Sequence, residues 1–140
     1  LGAPGSMSST HSANPLACAA GLATIEELTN KKLISKAQKN GMYLHKGLNL
    51  IKKRFSNYIY SIEGKGLIAA IILKKNIKLK KIKSGTHLAD EICINALKNK
   101  LLLVRTGRES IKIGPPLIIT KLEIKNGLTK LSRVIENIVN

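Results

Sequence analysis

The residues best suited to chemistry lie near the start of the chain, within residues 8–21. Small hydroxyl side chains, among them Ser9 and Thr10, come just before a predicted helix, because Asn14 is a preferred N-cap and Pro15 suits the first helical position. Hydroxyl donors, backbone N–H groups near a helix N-terminus and small neighbours can together bind a phosphate group. The same residues could also form a loop that only leads into the helix cap, and the residues alone leave both interpretations open.

Other patterns that could support catalysis or metal binding are weaker. The three histidines are far apart and have no Cys, Asp or Glu at metal-ligand spacing, so no metal site is predicted. The eight acidic residues form no pair suited to acid/base catalysis, and Glu63 is interpreted as a strand-edge residue rather than a general base. The pattern Gly64-Lys65-Gly66 lacks the third glycine and the helix of a nucleotide-binding loop.

The chain is strongly basic. Its 140 residues include 24 Lys and Arg against 8 Asp and Glu, which gives a formal net charge of +16. Such a charge attracts polyanions without specifying a fold, so a free-standing basic module that binds nucleic acid through charge is kept as an alternative function. Nucleic-acid sites favour arginine and aromatic stacking, whereas this chain has no Trp and one Phe. The lysines are therefore interpreted mainly as a solvated surface.

The cysteines and the hydropathy pattern predict a cytoplasmic protein. Cys18 and Cys93 are far apart in sequence and are expected to be reduced residues of the core. The longest apolar run, residues 67–73, is too short to span a membrane, and no signal segment opens the chain. The chain starts at Leu1 rather than Met, so we expect it to be a piece of a longer protein.

Two helices are predicted in the first half of the chain. The first begins after the Asn14 cap, ends near Leu28, and has an Ala- and Leu-rich face that is expected to be closely packed. The second carries apolar residues at steps of three and four, which is typical of a long amphipathic helix. These residues are Leu33, Ala37, Gly41, Leu44, Leu48, Ile51 and Phe55.

Two further helices are predicted in the second half. The third follows Thr86, ends near Asn99, and turns four residues inward: Ala89, Cys93, Ala96 and Leu97. The fourth begins with a capping box between Thr120 and Glu123. Its apolar stripe consists of Ile124, Leu128, Leu131, Ile135 and Ile138.

Between these helices, three segments predict strands. Residues 61–73 predict one central strand, buried on both faces and entered through two glycines. Residues 101–104 and 110–113 predict two short strands that pair as a hairpin, while the lysine-rich run 74–83 predicts an exposed strand or long turn. The predicted fold class is α/β (α+β), with a few mostly antiparallel strands covered by helices and preceded by the first helix.

Three segments of the chain, in order, resemble those of class III (omega) aminotransferases, which are pyridoxal-phosphate enzymes of fold type I. Residues 10–23 are similar to the signature before the connecting helix, residues 64–68 to the glycine-led strand, and residues 111–120 to the Pro-Pro-Leu segment before the last helix. The resemblance covers nearly the whole chain, as the C-terminal portion of a longer enzyme. It implies that residues 1–30 are the end of the large domain with the cofactor-phosphate loop and connecting helix, and that residues 31–140 are the C-terminal small domain.

The resemblance also implies a function. A transaminase of this family moves an amino group between an amine or amino acid and a keto acid or aldehyde, using pyridoxal 5'-phosphate. The family is expected to form homodimers that share the cofactor site, in which Thr10, with Ser9, would hold the cofactor phosphate of the other subunit. His11 stands where the family usually has an aromatic residue, and no role is assigned to it.

Substrate recognition is expected to involve a basic residue near the Pro-Pro-Leu segment. Many family members have an arginine there that binds a substrate carboxylate, whereas this chain has Lys112; Arg105 and Arg108 are alternative donors. The lysine that links the cofactor to the enzyme (the aldimine lysine) is expected upstream of Thr10. No catalytic residue is therefore assigned within this chain, which by itself is expected to be inactive.

Overall fold

The computed structural model describes residues 13–75, 77, 79, 87–107 and 109–140 of the chain. Contacts divide the chain into two units, Leu1–Ile34 and Ser35–Asn140. The main cluster of buried apolar side chains belongs to the second unit. The division after residue 30 into two domains of a larger enzyme stays a prediction.

The first unit is built on helix α1 (Pro15–Asn30). Asn14 caps it as predicted, because its Oδ1 accepts the N–H groups of Leu16 at 2.9 Å and Ala17 at 3.4 Å. No residue of α1 is buried, and Cys18 is exposed. The core position predicted for Cys18 is therefore wrong for the described part of this unit. The close packing predicted for the helix stays a prediction, because no second described element of this unit lies beside its apolar face.

The second unit contains a four-stranded antiparallel sheet. Its strands are β1 (Ile59–Lys65), β2 (Ile68–Leu73), β3 (Val104–Thr106) and β4 (Ser110–Ile113), in the order β1-β2-β4-β3. Strand β2 lies inside the sheet, as predicted for the central strand, and β3 and β4 form the predicted hairpin. The predicted fold class, with antiparallel strands and covering helices, is confirmed.

The predicted single strand over residues 61–73 is in fact the hairpin of β1 and β2. The chain reverses at Gly66 and Leu67, and Lys65 pairs with Ile68. Gly64 and Gly66 have φ angles of +118° and +60°, which glycine adopts without the steric cost of a side chain. A Cβ on Gly64 would also lie 2.2 Å from the carbonyl oxygen of Ile68. The two glycines that were interpreted as the entrance to one strand instead permit the reversal between two.

The two faces of the sheet differ in burial. In antiparallel strands, residues directly opposite each other share a face. What we call the core row consists of Ile62, Ile71, Ile111 and Arg105, which pair in that order across β1, β2, β4 and β3. Ile71 and Ile111 are fully buried in a cluster with side chains of the helices.

The next row points to the opposite face. What we call the outer row consists of Glu63, Ala70, Lys112 and Val104, again paired in that order. Ile68, which is on the same face as Ala70, is 62% exposed, and Val104 is 53% exposed. The prediction that β2 is buried on both faces is wrong, because burial alternates along the strand and only the core face packs against helices within the described residues.

Helices α2 (Leu33–Arg54) and α4 (Lys121–Val139) contribute the apolar stripes predicted for them. Buried apolar residues of these stripes are Leu33, Leu44, Leu48, Ile51, Ile124, Leu131, Ile135 and Ile138, and the buried Phe55 follows α2. The capping box of α4 is confirmed: Thr120 Oγ1 accepts the Glu123 N–H at 3.2 Å, and the Glu123 carboxylate accepts the Thr120 N–H at 2.8 Å.

Helix α3 (Leu88–Lys98) differs from the prediction at two of the four residues predicted to face inward. Ala89 and Ala96 are fully buried, but Leu97 is 61% exposed. Leu97 follows Ala96 and so lies about 100° around the helix from it, beyond the edge of the buried stripe. Cys93 is half-buried rather than fully within the core.

The end of α3 also explains why β3 starts later than predicted. Lys100 has a φ of +56°, and the N–H of Leu101 donates to the carbonyl of Ala96 at 2.9 Å. This is the hydrogen-bond pattern of a Schellman motif, which ends the helix and uses the first amide of the segment predicted as strand. The strand therefore forms only from Val104 onward. The predicted strand or turn at residues 74–83 lies mostly outside the described residues.

Candidate functional site

Several residues singled out by the sequence lie outside the described residues. Thr10 and Ser9, expected at the cofactor phosphate, are among them, as are Arg108 and His11. Their roles stay predictions.

The N-terminus of α1 bears on the phosphate site, since free N–H groups there could bind an anion. Pro15 has no N–H, and those of Leu16 and Ala17 donate to the Asn14 side chain. The N–H of Cys18 donates to the Asn14 carbonyl at 2.9 Å. The first turn of α1 is thus already satisfied, and a phosphate would have to take its donors from the residues before it, where Ser9 and Thr10 stand.

Lys112 lies on β4, in the outer row, and its side chain is exposed. It lines a shallow cavity of about 270 Å³ on the outer face of the sheet. The other lining residues are Glu63, Gly64, Ile68, Ala69, Ala70 and Thr106. Ala70 lies between Glu63 and Lys112 in the register of the sheet, so no large side chain fills the space between the two charges.

Arg105 lies on the other face. It pairs with Ile111 in the core row, and its Nε is 3.3 Å from Oδ1 of Asp90 on α3. The structure therefore does not bring Arg105 and Lys112 to one carboxylate, because neighbouring register positions point to opposite sides of a sheet. The contact between Arg105 and Asp90 instead links the edge strand β3 to helix α3, which packs beside it.

Next to this ion pair lies Cys93. Burial raises the pKa of its thiol, and the negative charge of Asp90 raises it further, while Arg105 acts in the opposite direction. A raised thiol pKa means less thiolate and therefore lower reactivity. This environment is that of a structural cysteine.

Sequence reasoning missed the role of Glu109. In the turn between β3 and β4, Glu109 adopts a φ of +52°, and its carboxylate oxygens contact His87 Nδ1 at 2.7 Å and the N–H of Ala89 at 3.2 Å. The backbone carbonyl of Glu109 also accepts the N–H of Leu73 at 2.9 Å. Glu109 thus ties the hairpin turn to the start of α3 and to β2. No local pattern could reveal this, because its partners are distant in sequence.

Another cavity in the second unit, of about 310 Å³, is apolar. It is lined by side chains of α2 and α4, by residues 101–103 and by the segment Gly114–Pro116. Its one charged lining residue is Glu123, whose carboxylate already binds Thr120. This cavity offers no free charge to a carboxylate substrate, so the outer face around Lys112 is the better candidate.

Among the described residues, no group of three or more His, Cys, Asp or Glu is placed to hold a metal ion. The helices in the described ranges include none that is long and apolar enough to cross a membrane.

Comparison with known proteins gives the family. The model of the class-III aminotransferase family matches residues 2–135. The chain belongs to the class-III aminotransferases. This confirms the family predicted from the three motif segments, and the match corresponds to a C-terminal portion of family members.

Relatives and solved structures agree with this assignment. The acetylornithine aminotransferase of Prochlorococcus marinus is 34% identical over 137 residues, which are 98% of this chain and 31% of that protein. The crystal structure of the acetylornithine aminotransferase from Elizabethkingia anophelis superposes with a TM-score of 0.80 at 27% identity, covering 96% of this chain and 32% of that one. The ornithine aminotransferase of Plasmodium yoelii gives 0.81 at 27% identity, covering 97% and 33%. The chain thus spans about 31% of the length of the first of these relatives.

Proposed function

We propose that this chain is the C-terminal portion of a transaminase that moves an amino group between an amine or amino acid and a keto acid or aldehyde. The observation that carries the proposal is the class-III aminotransferase match over residues 2–135, together with the likeness in fold to solved aminotransferases. The alternative, nucleic-acid binding through charge, gains no support from the relatives or from a motif in the described residues.

The proposed cofactor is pyridoxal 5'-phosphate. When bound, it supplies the electron sink that makes amino-group transfer possible. This chain would contribute phosphate donors from Thr10 and Ser9, because the first turn of α1 is already hydrogen-bonded to Asn14. The lysine that links the cofactor is assigned to the part of the relatives that this chain does not match.

Lys112 is proposed to attract the substrate carboxylate. Its position on the outer row leaves the ammonium group exposed beside a cavity, and no ion pair among the described residues occupies it. A lysine supplies a point charge there but not the two-pronged fork of an arginine. The charge can therefore hold one end of a substrate without fixing its orientation.

We further propose that the enzyme is cytoplasmic and forms a homodimer in which Thr10 of one subunit reaches the cofactor of the other. This arrangement makes a testable link between cofactor binding and assembly. Anything that binds the dimer more tightly than the monomer stabilises the dimer.

The experiment compares Thr10→Ala with Thr10→Ser in the intact protein. A hydrogen bond to a charged group contributes about 1.5–3 kcal/mol, so loss of the hydroxyl should weaken cofactor binding roughly ten- to a hundredfold. Thr10→Ser keeps the hydroxyl and should bind nearly as well as the parent. Titration of the cofactor-free protein, followed by cofactor absorbance and by the dimer dissociation constant, measures both effects. Parent-like cofactor binding by Thr10→Ala would show that Thr10 only precedes the helix cap.

A further inference from the structure

The solvent-facing side of helix α2 carries a row of lysines. Lys39, Lys46 and Lys53 are exposed and follow one another at intervals of seven residues. Seven residues advance a helix by about 10.5 Å and return to within about 20° of the same side, so the three charges form a nearly straight row about 21 Å long. The buried residues Leu44 and Leu48 lie two positions before and after Lys46, about 200° around the helix. The row therefore points away from the core.

Two exposed apolar side chains lie within this row. Met42 is 64% exposed and Leu50 is 63% exposed, and each lies four residues from Lys46, one on either side. Residues three or four positions apart are neighbours on a helix surface. What we call the α2 crest is the resulting stripe of Lys39, Met42, Lys46, Leu50 and Lys53, in which cationic and apolar residues alternate. Such alternation favours a partner that is both anionic and apolar.

No acidic side chain of the same helix balances the α2 crest. Helix α2 contains six cationic residues and no Asp or Glu. Its ion pair with a described residue uses Arg54, which contacts Glu136 of α4 and lies over the ring of Phe55. The ion pairs found between described residues include none that uses a lysine of the crest. The crest thus keeps its positive charge and can attract an anionic surface.

The chemistry of the α2 crest fits an anionic lipid surface better than a nucleic acid. A straight row on the side opposite the core can touch a flat surface along its whole length. Lysine contributes a point charge there, and apolar side chains of a helix that lies on a membrane enter the boundary between head groups and acyl chains. Against a nucleic-acid backbone the same Met and Leu side chains would face phosphates. The crest also has neither arginine for base contacts nor an aromatic residue for stacking.

We propose that the α2 crest binds the anionic surface of a membrane, with its lysines on the lipid head groups and with Met42 and Leu50 inserted between them. This interaction goes beyond amino transfer and does not depend on it. Each lysine close to such a surface strengthens binding about fivefold, so the three lysines together contribute about a hundredfold. The attraction is screened within about 8–10 Å at physiological ionic strength, so binding falls as salt is added.

The first test compares two sets of lysines in the intact protein. Flotation with vesicles of equal parts phosphatidylserine and phosphatidylcholine measures binding, and vesicles of phosphatidylcholine alone should not bind. Replacing the three crest lysines by Gln should weaken binding about a hundredfold. The matched control removes the same charge from exposed lysines on other elements, with Lys65→Gln, Lys75→Gln and Lys98→Gln combined. We expect this control to weaken binding by no more than about fivefold, because these lysines do not form one row.

The second test concerns the apolar residues of the crest. Met42→Ser combined with Leu50→Ser should weaken vesicle binding about three- to tenfold without changing its salt dependence. The control pair, Leu97→Ser with Leu122→Ser, changes exposed leucines of α3 and α4 and should bind like the parent. Cooperative urea unfolding with a parent-like midpoint confirms that each variant is folded.

Several results would overturn the proposal. Equal weakening by the crest and the control lysines would show that only the net charge matters. Unchanged vesicle binding after both crest apolar residues are replaced would show that they do not enter the membrane. Loss of duplex DNA binding with intact vesicle binding in the crest lysine variant would make a nucleic acid the partner. Failure of the parent protein to float with the anionic vesicles would also refute the membrane contact.

Discussion

The close approach of α2 to the β1–β2 turn makes Gly41→Ala a sharp test of how the outer row is held in place. A Cβ at Gly41 would lie 2.4–2.5 Å from the backbone Cα, C and O atoms of Gly66. Backbone atoms cannot move aside by changing rotamer, so either α2 or the hairpin that carries Glu63 must shift. Overpacking of this kind costs about 1–3 kcal/mol, and replacing glycine by alanine inside a helix recovers about 0.5–1 kcal/mol.

We therefore expect Gly41→Ala to lower the free energy of unfolding by about 1–2 kcal/mol, which urea unfolding followed by circular dichroism can measure. Two other helical glycines provide matched controls. At Gly127 an added Cβ meets only Leu101 Cδ1 at 3.8 Å, an ordinary contact, so alanine should stabilise by about 0.5–1 kcal/mol. At Gly47 the close atom is the side-chain Cδ1 of Leu128 at 2.3 Å, which can turn away, so the effect should be intermediate. If Gly41→Ala stabilises the protein as much as Gly127→Ala does, the proposed close approach is wrong.

Further predictions concern the α4 cap and the two cysteines. Thr120→Ala removes an N-cap hydroxyl and should lower the free energy of unfolding by about 1 kcal/mol, as measured by urea unfolding at pH 7. Hydrogen bonds from the Thr120 backbone and side chain hold the pKa of Glu123 below its ordinary value of 4.5, so their stabilising effect is present above pH 4.5 and is lost as the pH falls below it. Thr120→Ala removes the side-chain hydrogen bond but keeps the larger contribution of the backbone N–H, so it should lose slightly less stability than the parent between pH 6 and pH 3. A larger loss than in the parent would contradict the cap. Because burial and the nearby Asp90 raise the pKa of Cys93, iodoacetamide at pH 8 should modify the exposed Cys18 first in this chain; mass mapping that finds Cys93 first would refute this.

The helices were predictable because their information is local. Apolar residues at steps of three and four mark the buried stripes of α2 and α4, and the Asn14 and Thr120 caps each need only residues within three positions. The environment of α1 could not be predicted from such local signals. Its Ala- and Leu-rich face predicts burial, but within its own unit no described element covers it.

The strands were harder to predict because glycine and lysine each occur in more than one local backbone structure. Two glycines before an apolar run are compatible with a strand entrance or with a reversal, and only the pairing of Lys65 with Ile68 distinguishes them. The left-handed conformation of Lys100 could not be predicted either, since glycine is the residue expected there. The resulting Schellman motif delayed β3 by three residues relative to the prediction.

Of the candidate site, sequence could identify Lys112 but not its neighbours. Arg105 is also basic and lies on the adjoining strand, yet it points to the core face and binds Asp90. Glu63 is 49 positions before Lys112 in the chain, and becomes its neighbour only through the register that both share with Ala70. Charge and spacing alone therefore could not pair them.

The same register explains why the charged residues face outward. Shifting β4 by one residue against β2 would turn Lys112 into the core and Ile111 toward solvent. Ile111 is fully buried opposite Ile71, and burying such a side chain contributes about 1.5–3 kcal/mol. The shifted register would lose that contribution and would also bury an unpaired ammonium group, which costs more. The packing of the core row thus fixes the outer row, and the position of Lys112 opposite Glu63 follows from isoleucines on the other side of the sheet.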